Sequence, residues 1–168
     1  DDPLLVTGAT GFLGPAVVAS LLDRGFRNVR AFARPSSDTV RLEACALPQP
    51  GRARVEVIRG NLLSREDCEA ATKDVAVIFH LATGSDKSFP ASYMNSVIST
   101  RNLLESSQRY TSLRRFVNIS SFAVYTNTEK LRWRLLDESC PVEEHPECRG
   151  DAYTFAKVKQ DEIVSEYG

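Results

Sequence analysis

The chain has 168 residues, 42% apolar and 26% charged, which is room for one soluble domain with a real hydrophobic core. Its 21 basic and 22 acidic side chains leave a net charge of −1, which argues against a nucleic-acid or membrane-surface partner. No apolar run reaches the length needed to span a bilayer, and Asp1-Asp2-Pro3 leads almost directly into a strand without the charged and apolar regions of a secretion signal. There is no initiator methionine, so a trimmed start is expected. Cys45, Cys68, Cys140 and Cys148 form no CxxC pair. They read as reduced thiols, and the expected location is the cytoplasm.

Short β-branched runs alternate with helical patterns along the chain, the mark of a parallel sheet covered on both faces. Leu4 to Thr7 reads as the first strand. Phe12 to Arg24 is an amphipathic helix with Val17, Val18, Leu21 and Leu22 on one face, stopped by Gly25. Asn28 to Ala33 is the second strand, followed by a helix carrying Val40, Leu42 and Ala44 that ends at the turn Pro48-Gln49-Pro50-Gly51. Val55 to Ile58 is the third strand, and Ser64 caps a short helix beginning at Arg65. Val75 to Ala82 is a buried fourth strand. Ala91 to Arg109 forms a long helix with Met94, Val97, Ile98 and Leu104 on its apolar face. Phe116 to Ser120 is strand five, Thr126 to Gly150 is a long polar connection, and Asp151 to Tyr167 is the last helix. The expected fold is α/β: a Rossmann-type doubly wound parallel sheet, forming one dinucleotide-binding domain over residues 1–168. Its ligand crevice should lie at the carboxyl ends of the strands, beside strand one.

Gly8, Gly11 and Gly14 fall at GxxGxxG spacing between the first strand and the first helix. One glycine allows the tight turn, another lets backbone approach a pyrophosphate, and the third lets helix and strand pack closely. The helix N-terminus adds free N–H donors and a partial positive charge.

The stretch Thr7-Gly8-Ala9-Thr10-Gly11-Phe12-Leu13-Gly14 resembles the TGxxGFxG turn of the extended short-chain dehydrogenases/reductases, the epimerase/dehydratase group. His80-Leu81-Ala82 is similar to that family's HLA segment, and Asn95 to its structural asparagine in helix five. Ser120-Ser121 before Val124-Tyr125 is similar to SSxxVY, and Tyr153 to Lys157 to YxxxK. The resemblance implies cofactor contacts from Gly8, Thr10, Gly11, Phe12, Leu13 and Gly14, from Asn61 and Leu62, and from Leu81, Ala82 and Thr83. Tyr153 and Lys157 are implied to touch the cofactor as well.

An acidic residue at the end of strand two would favour NAD by accepting from the ribose 2′-OH. Here Ala33 stands at that place and Arg34 follows, a residue that pairs with a 2′-phosphate bidentately. Ser36 and Ser37 offer further hydroxyls. The expected cofactor is NADP, with NAD as the alternative. Asn61 occupies a place where the family usually carries Asp, and an amide both donates and accepts.

Tyr153 and Lys157 are i, i+4 on a helix and share a face. A nearby ammonium favours the phenolate and turns a tyrosine into a usable acid/base. The resemblance implies that Lys157 also binds the nicotinamide ribose and that Ser121 orients the substrate oxygen, with Ser120 as the fallback. The reaction implied is hydride transfer to or from an alcohol or ketone carbon of a small molecule. A nucleotide-sugar epimerase or dehydratase with tightly held NAD is the alternative, and a non-catalytic dinucleotide-binding scaffold a further one. A homodimer is left open.

Cys140, His145 and Cys148 have a spacing that matches no common zinc pattern, so no metal site is assigned. His80 at a strand end reads as a packed residue. Lys130-Leu131-Arg132-Trp133-Arg134 is too short a basic run to imply nucleic acid. The resemblance also implies a smaller C-terminal substrate domain, expected to be missing because the chain stops at Gly168, soon after Lys157.

Overall fold

A computed structural model describes residues 2–45, 55–84, 87–126 and 135–168, with the side chain of Cys45 excepted. The turn expected at Pro48 to Gly51 and the basic run from Lys130 to Arg134 lie outside these residues. Five strands form one sheet: β1 (Leu4–Thr7), β2 (Val29–Ala33), β3 (Val55–Arg59), β4 (Val77–His80) and β5 (Arg115–Asn118). All neighbours are parallel, in the order β3-β2-β1-β4-β5. Parallel neighbours need a crossover, and each connection along this chain contains helix. The order reverses between β1 and β4, which creates the switch point expected beside strand one.

The helices are α1 (Gly14–Asp23), α2 (Val40–Cys45), α3 (Arg65–Thr72), α4 (Phe89–Tyr93), α5 (Ser99–Ser107) and α6 (Ala152–Glu166). A π-helical turn at Met94–Ile98 joins α4 to α5. Side chains alternate across a strand, so β1 sends Leu4 and Val6 to one core and Leu5 to another. The first core holds Val18, Leu21 and Leu22 of α1, Val29 and Ala31 of β2, and Leu42 of α2. The second holds Phe32, Leu62, Cys68, Ala71, Val75, Ile78 and Leu103. Two cores against one strand mean that both faces of the sheet are covered, as the unbroken apolar strands require.

In α2, Leu42 reaches the core while Val40 is 64% exposed and Ala44 is exposed. One expected face is corrected. Met94 is 44% exposed while Val97 and Leu104 are buried. The π-helical turn begins at Met94 and changes the angular spacing on which a regular helical face depends. Ser64 does cap α3, its hydroxyl accepting from the Asp67 N–H at 3.1 Å. Gly25 follows α1 with φ of +86°, the left-handed residue that ends the helix.

The contacts divide the chain into two compact units. One comprises residues 1–82 and 102–119 and contains the whole sheet with α1, α2 and α3. The other comprises residues 83–101 and 120–168. It contains α4, the π-helical turn, α6, and 3-10 turns at Phe122–Val124 and Pro146–Arg149. Among the described residues no helix is long and apolar enough to cross a membrane.

Candidate functional site

In the sheet-bearing unit, the link from β1 to α1 leaves no room for side chains at two of its glycines. Gly8 has φ of +65°, and a Cβ there would stand 2.8 Å from both the Ala82 nitrogen and the Leu81 carbonyl carbon. A Cβ on Gly14 would run into the backbone of Ala9, so α1 begins directly against the turn that follows β1. The Gly11 N–H donates to the Gly8 carbonyl at 2.9 Å and closes the turn.

The N-cap of α1 is Leu13, which provides no capping side chain, and no acidic residue lies in the first turn. The first N–H groups of a helix have no intrahelical acceptor, and the N-cap side chain supplies none here; Pro15 has no N–H, which leaves those of Gly14 and Ala16. Phe12 is 84% and Leu13 48% exposed, an apolar surface beside an uncapped helix end, while Thr10 is half-buried. A tight backbone cradle, a helix end without a side-chain cap and a first turn without a carboxylate fit the pyrophosphate of a dinucleotide.

Two residues fasten the strand ends behind this turn. Thr7 Oγ1 lies 2.7 Å from His80 Nδ1, and the Ala82 N–H points at the same oxygen at 3.4 Å. His80 is buried against the Phe116 ring, so it is a packed residue that holds β1 to β4. The Leu81-Ala82 peptide that Gly8 touches is thereby fixed. The Thr7–His80 bond spans 73 residues and has no local signal in the sequence.

At the end of β2, Ala33 is buried, Arg34 exposed and Ser37 half-buried. Arg59, paired with Ala33 in the sheet, spans the loop beyond it. Its guanidinium donates to the Pro35 carbonyl at 3.1 Å, the Ser37 carbonyl at 3.3 Å and Thr39 Oγ1 at 3.2 Å. The loop that presents Arg34 is therefore shaped by an arginine on the neighbouring strand, which the sequence reading did not find. Asn61 is exposed, its Oδ1 accepting from the Leu63 N–H at 3.0 Å and its own N–H donating to Asp67 at 2.7 Å. The Leu62 side chain lies in the second core, 8% exposed.

The proposed catalytic residues belong to the other unit. Asp151 caps α6 by accepting from the N–H groups of Tyr153 and Thr154 and from the Thr154 hydroxyl. These bonds, the Thr154 hydroxyl first, hold the Asp151 carboxyl below its ordinary pKa. Tyr153, half-buried, is thus placed in the first turn of α6. Lys157, one turn on, is 3% exposed, and its Nζ donates to Gln160 Oε1 at 2.7 Å. Burial pushes the Lys157 ammonium below the usual lysine pKa, and the charge of Asp161 partly offsets this. Phe155 packs edge-on to Phe89 of α4, with ring centroids 5.4 Å apart.

Ser121 caps the 3-10 turn at Phe122–Val124, its Oγ accepting from the Ala123 N–H at 3.2 Å. The neighbouring Ser120 hydroxyl is instead bonded to the Asp161 carboxylate. Thr83 and the Gly84 N–H both bond the Ser96 hydroxyl of the π-helical turn, at 3.1 and 2.8 Å. Asn95 stands in the same turn. The sequence reading missed Asp151, Gln160 and Asp161. Gln160 lies three residues beyond Lys157, a spacing that places both on one helix face and so carries a usable signal.

The model of the NAD dependent epimerase/dehydratase family matches residues 4–168. The chain belongs to this family. It is 31% identical over 170 residues to a Mycobacterium tuberculosis protein named 3 beta-hydroxysteroid dehydrogenase/Delta 5-->4-isomerase, covering 96% of this chain and 41% of that one. It is 33% identical over 139 residues to rice (Oryza sativa subsp. japonica) UDP-glucose 4-epimerase 3, covering 76% and 36%. Among solved structures, a short-chain dehydrogenase/reductase superfamily protein from Agrobacterium tumefaciens with bound NAD superposes with a TM-score of 0.71 at 27% identity, over 98% of this chain and 44% of that one. The chain thus spans less than half the length of these relatives.

Proposed function

We propose that the chain carries the cofactor-binding and proton-transferring residues of an NAD(P)-dependent oxidoreductase acting on an alcohol or ketone carbon. The observation that carries this reading is the buried Lys157 one turn after Tyr153, on a helix that Asp151 caps at Tyr153 itself. A buried ammonium is costly to desolvate, so its presence calls for a role beyond packing. When bound, the nicotinamide ring supplies the hydride chemistry. Gly8, Gly11 and Gly14 with the start of α1 would hold the pyrophosphate, Arg34 and Ser37 a 2′-phosphate, and Asn61 the adenine edge. Leu62 would contribute through its backbone, and Leu81, Ala82 and Thr83 through the segment following β4.

Tyr153 would pass the proton to or from the substrate oxygen through its hydroxyl, at the helix end whose dipole favours negative charge. Lys157 would support that proton transfer by its charge. Ser121 is the better of the two serines for the substrate oxygen. Its Oγ accepts from a backbone N–H and keeps its own proton to donate, whereas the Ser120 proton is committed to Asp161.

NADP is favoured over NAD by Arg34, since β2 ends without a carboxylate to meet a ribose hydroxyl. The epimerase alternative draws on the rice relative, and the dehydrogenase reading on the mycobacterial one. The test is Tyr153→Phe in the full chain, assayed with NADP+ or NAD+ and a panel of secondary alcohols. Turnover should fall about a thousandfold with cofactor affinity nearly unchanged. Unchanged turnover would remove Tyr153 from the chemistry. Release of NAD from the purified protein on denaturation, with no preference for NADPH, would favour the epimerase reading.

A further inference from the structure

The unit that holds α6 contains an unusual run of buried polar side chains. Lys157 is 3% exposed, and Gln160, Thr100 and Ser96 are fully buried. They are joined in sequence: Lys157 Nζ donates to Gln160 Oε1 at 2.7 Å, Gln160 Nε2 donates to Thr100 Oγ1 at 2.8 Å, and the Thr100 hydroxyl donates to the Ser96 carbonyl in the π-helical turn. The polarity of this run has one consistent solution. An ammonium has only donors and a carbonyl only accepts, so Gln160 must turn its oxygen to Lys157 and its nitrogen to Thr100. The amide is locked in the orientation that places a carbonyl dipole on the buried ammonium.

We propose that Gln160 is a positioning residue for Lys157, holding the ammonium charged and aimed through an amide anchored on Thr100 and the π-helical turn. This rests on the reading of Lys157 as the partner of Tyr153. It assigns the π-helical turn a purpose: the Ser96 carbonyl, which also accepts from Ser99 Oγ at 3.2 Å, orients the relay. Burial works against the Lys157 charge, while Asp161 on the same helix supports it. The elements packed on α6 bring Tyr93 on α4 and Glu147, Cys148 and Arg149 on the 3-10 turn as their titratable or charged groups.

Carbon-13 NMR titration of the Lys157 ε-methylene in the full chain, assigned by its loss in Lys157→Met, tests the proposal without substrate or cofactor. Gln160→Leu removes the acceptor and should raise the ammonium's acid dissociation constant about tenfold. Gln160→Glu keeps the shape, adds a negative charge, and should lower that constant by a comparable factor. Thr100→Val, which frees the amide to turn, should act in the direction of Gln160→Leu but more weakly. A Lys157 that titrates as in the wild type in both Gln160 variants overturns the proposal. So does a shift of the same sign in both, which would mark a general loosening. Where Gln160→Leu does not fold, the other two variants decide by the signs given. Retained turnover in Tyr153→Phe would remove the catalytic reading while leaving these titrations as measured, so the two failures are distinguishable.

Discussion

The candidate sites of the two units are built in opposite ways. In the sheet-bearing unit the candidate site is made by backbone and by the lack of side chains: Gly8 and Gly14 admit no Cβ, and α1 starts with no capping side chain. In the other unit it is made by side chains bonded to side chains, from Asp151 on Thr154 to Lys157 on Gln160 and Gln160 on Thr100. A dinucleotide pyrophosphate has the same shape for every substrate, so a fixed backbone cradle suits it. Proton transfer needs charges held at chosen values, which side chains and their neighbours can tune.

The first arrangement should break under the smallest addition of mass. Gly14→Ala would place a methyl in the Ala9 backbone and should cost about 3 kcal/mol, read as a lower urea midpoint. Gly25→Ala provides the contrast: nothing lies within reach of its Cβ, so only the left-handed backbone resists, at about 1 kcal/mol. Equal losses in the two variants would show that the turn is not sterically closed.

The second arrangement should respond to chemistry more than to size. Asp151→Ala removes the cap of α6 and should cost about 1 kcal/mol, while Asp151→Asn should cost less. Because native bonds lower the Asp151 pKa, its contribution is present above the unfolded value near 3.9 and is lost as pH falls through the lower folded value. The stability gap between wild type and Asp151→Ala should therefore be flat near neutrality and narrow in acid below about pH 4. A gap that widens in acid would reverse the assignment.

What could be read from the sequence was local or periodic. The glycine spacing, the Ser64 cap, the Gly25 stop and the alternation of strands and helices each depend on neighbours within a turn or two, and each is present in the structure. What could not be read depends on partners far along the chain. Gln160 meets Thr100 across 60 residues, and Arg59 reaches the Pro35 to Thr39 loop from the next strand. The π-helical turn escaped for another reason. Its hydroxyl-to-carbonyl bonds, Ser99 to Asn95 and Thr100 to Ser96, use residues that also fit an ordinary helix. The resemblance singled out Leu62 without saying which of its atoms matter, and only the fold shows that its side chain lies in the core.

The central claim is that the glycine turn and Arg34 make a phosphate-reading dinucleotide site. Fluorescence titration of NADPH and NADH into the full chain, wild type and Arg34→Ser, tests it most directly. Saturable binding of both is predicted, with NADPH tighter by about tenfold in the wild type and the difference lost in Arg34→Ser. A folded chain that binds neither nucleotide, or a preference for NADPH that survives Arg34→Ser, would contradict it.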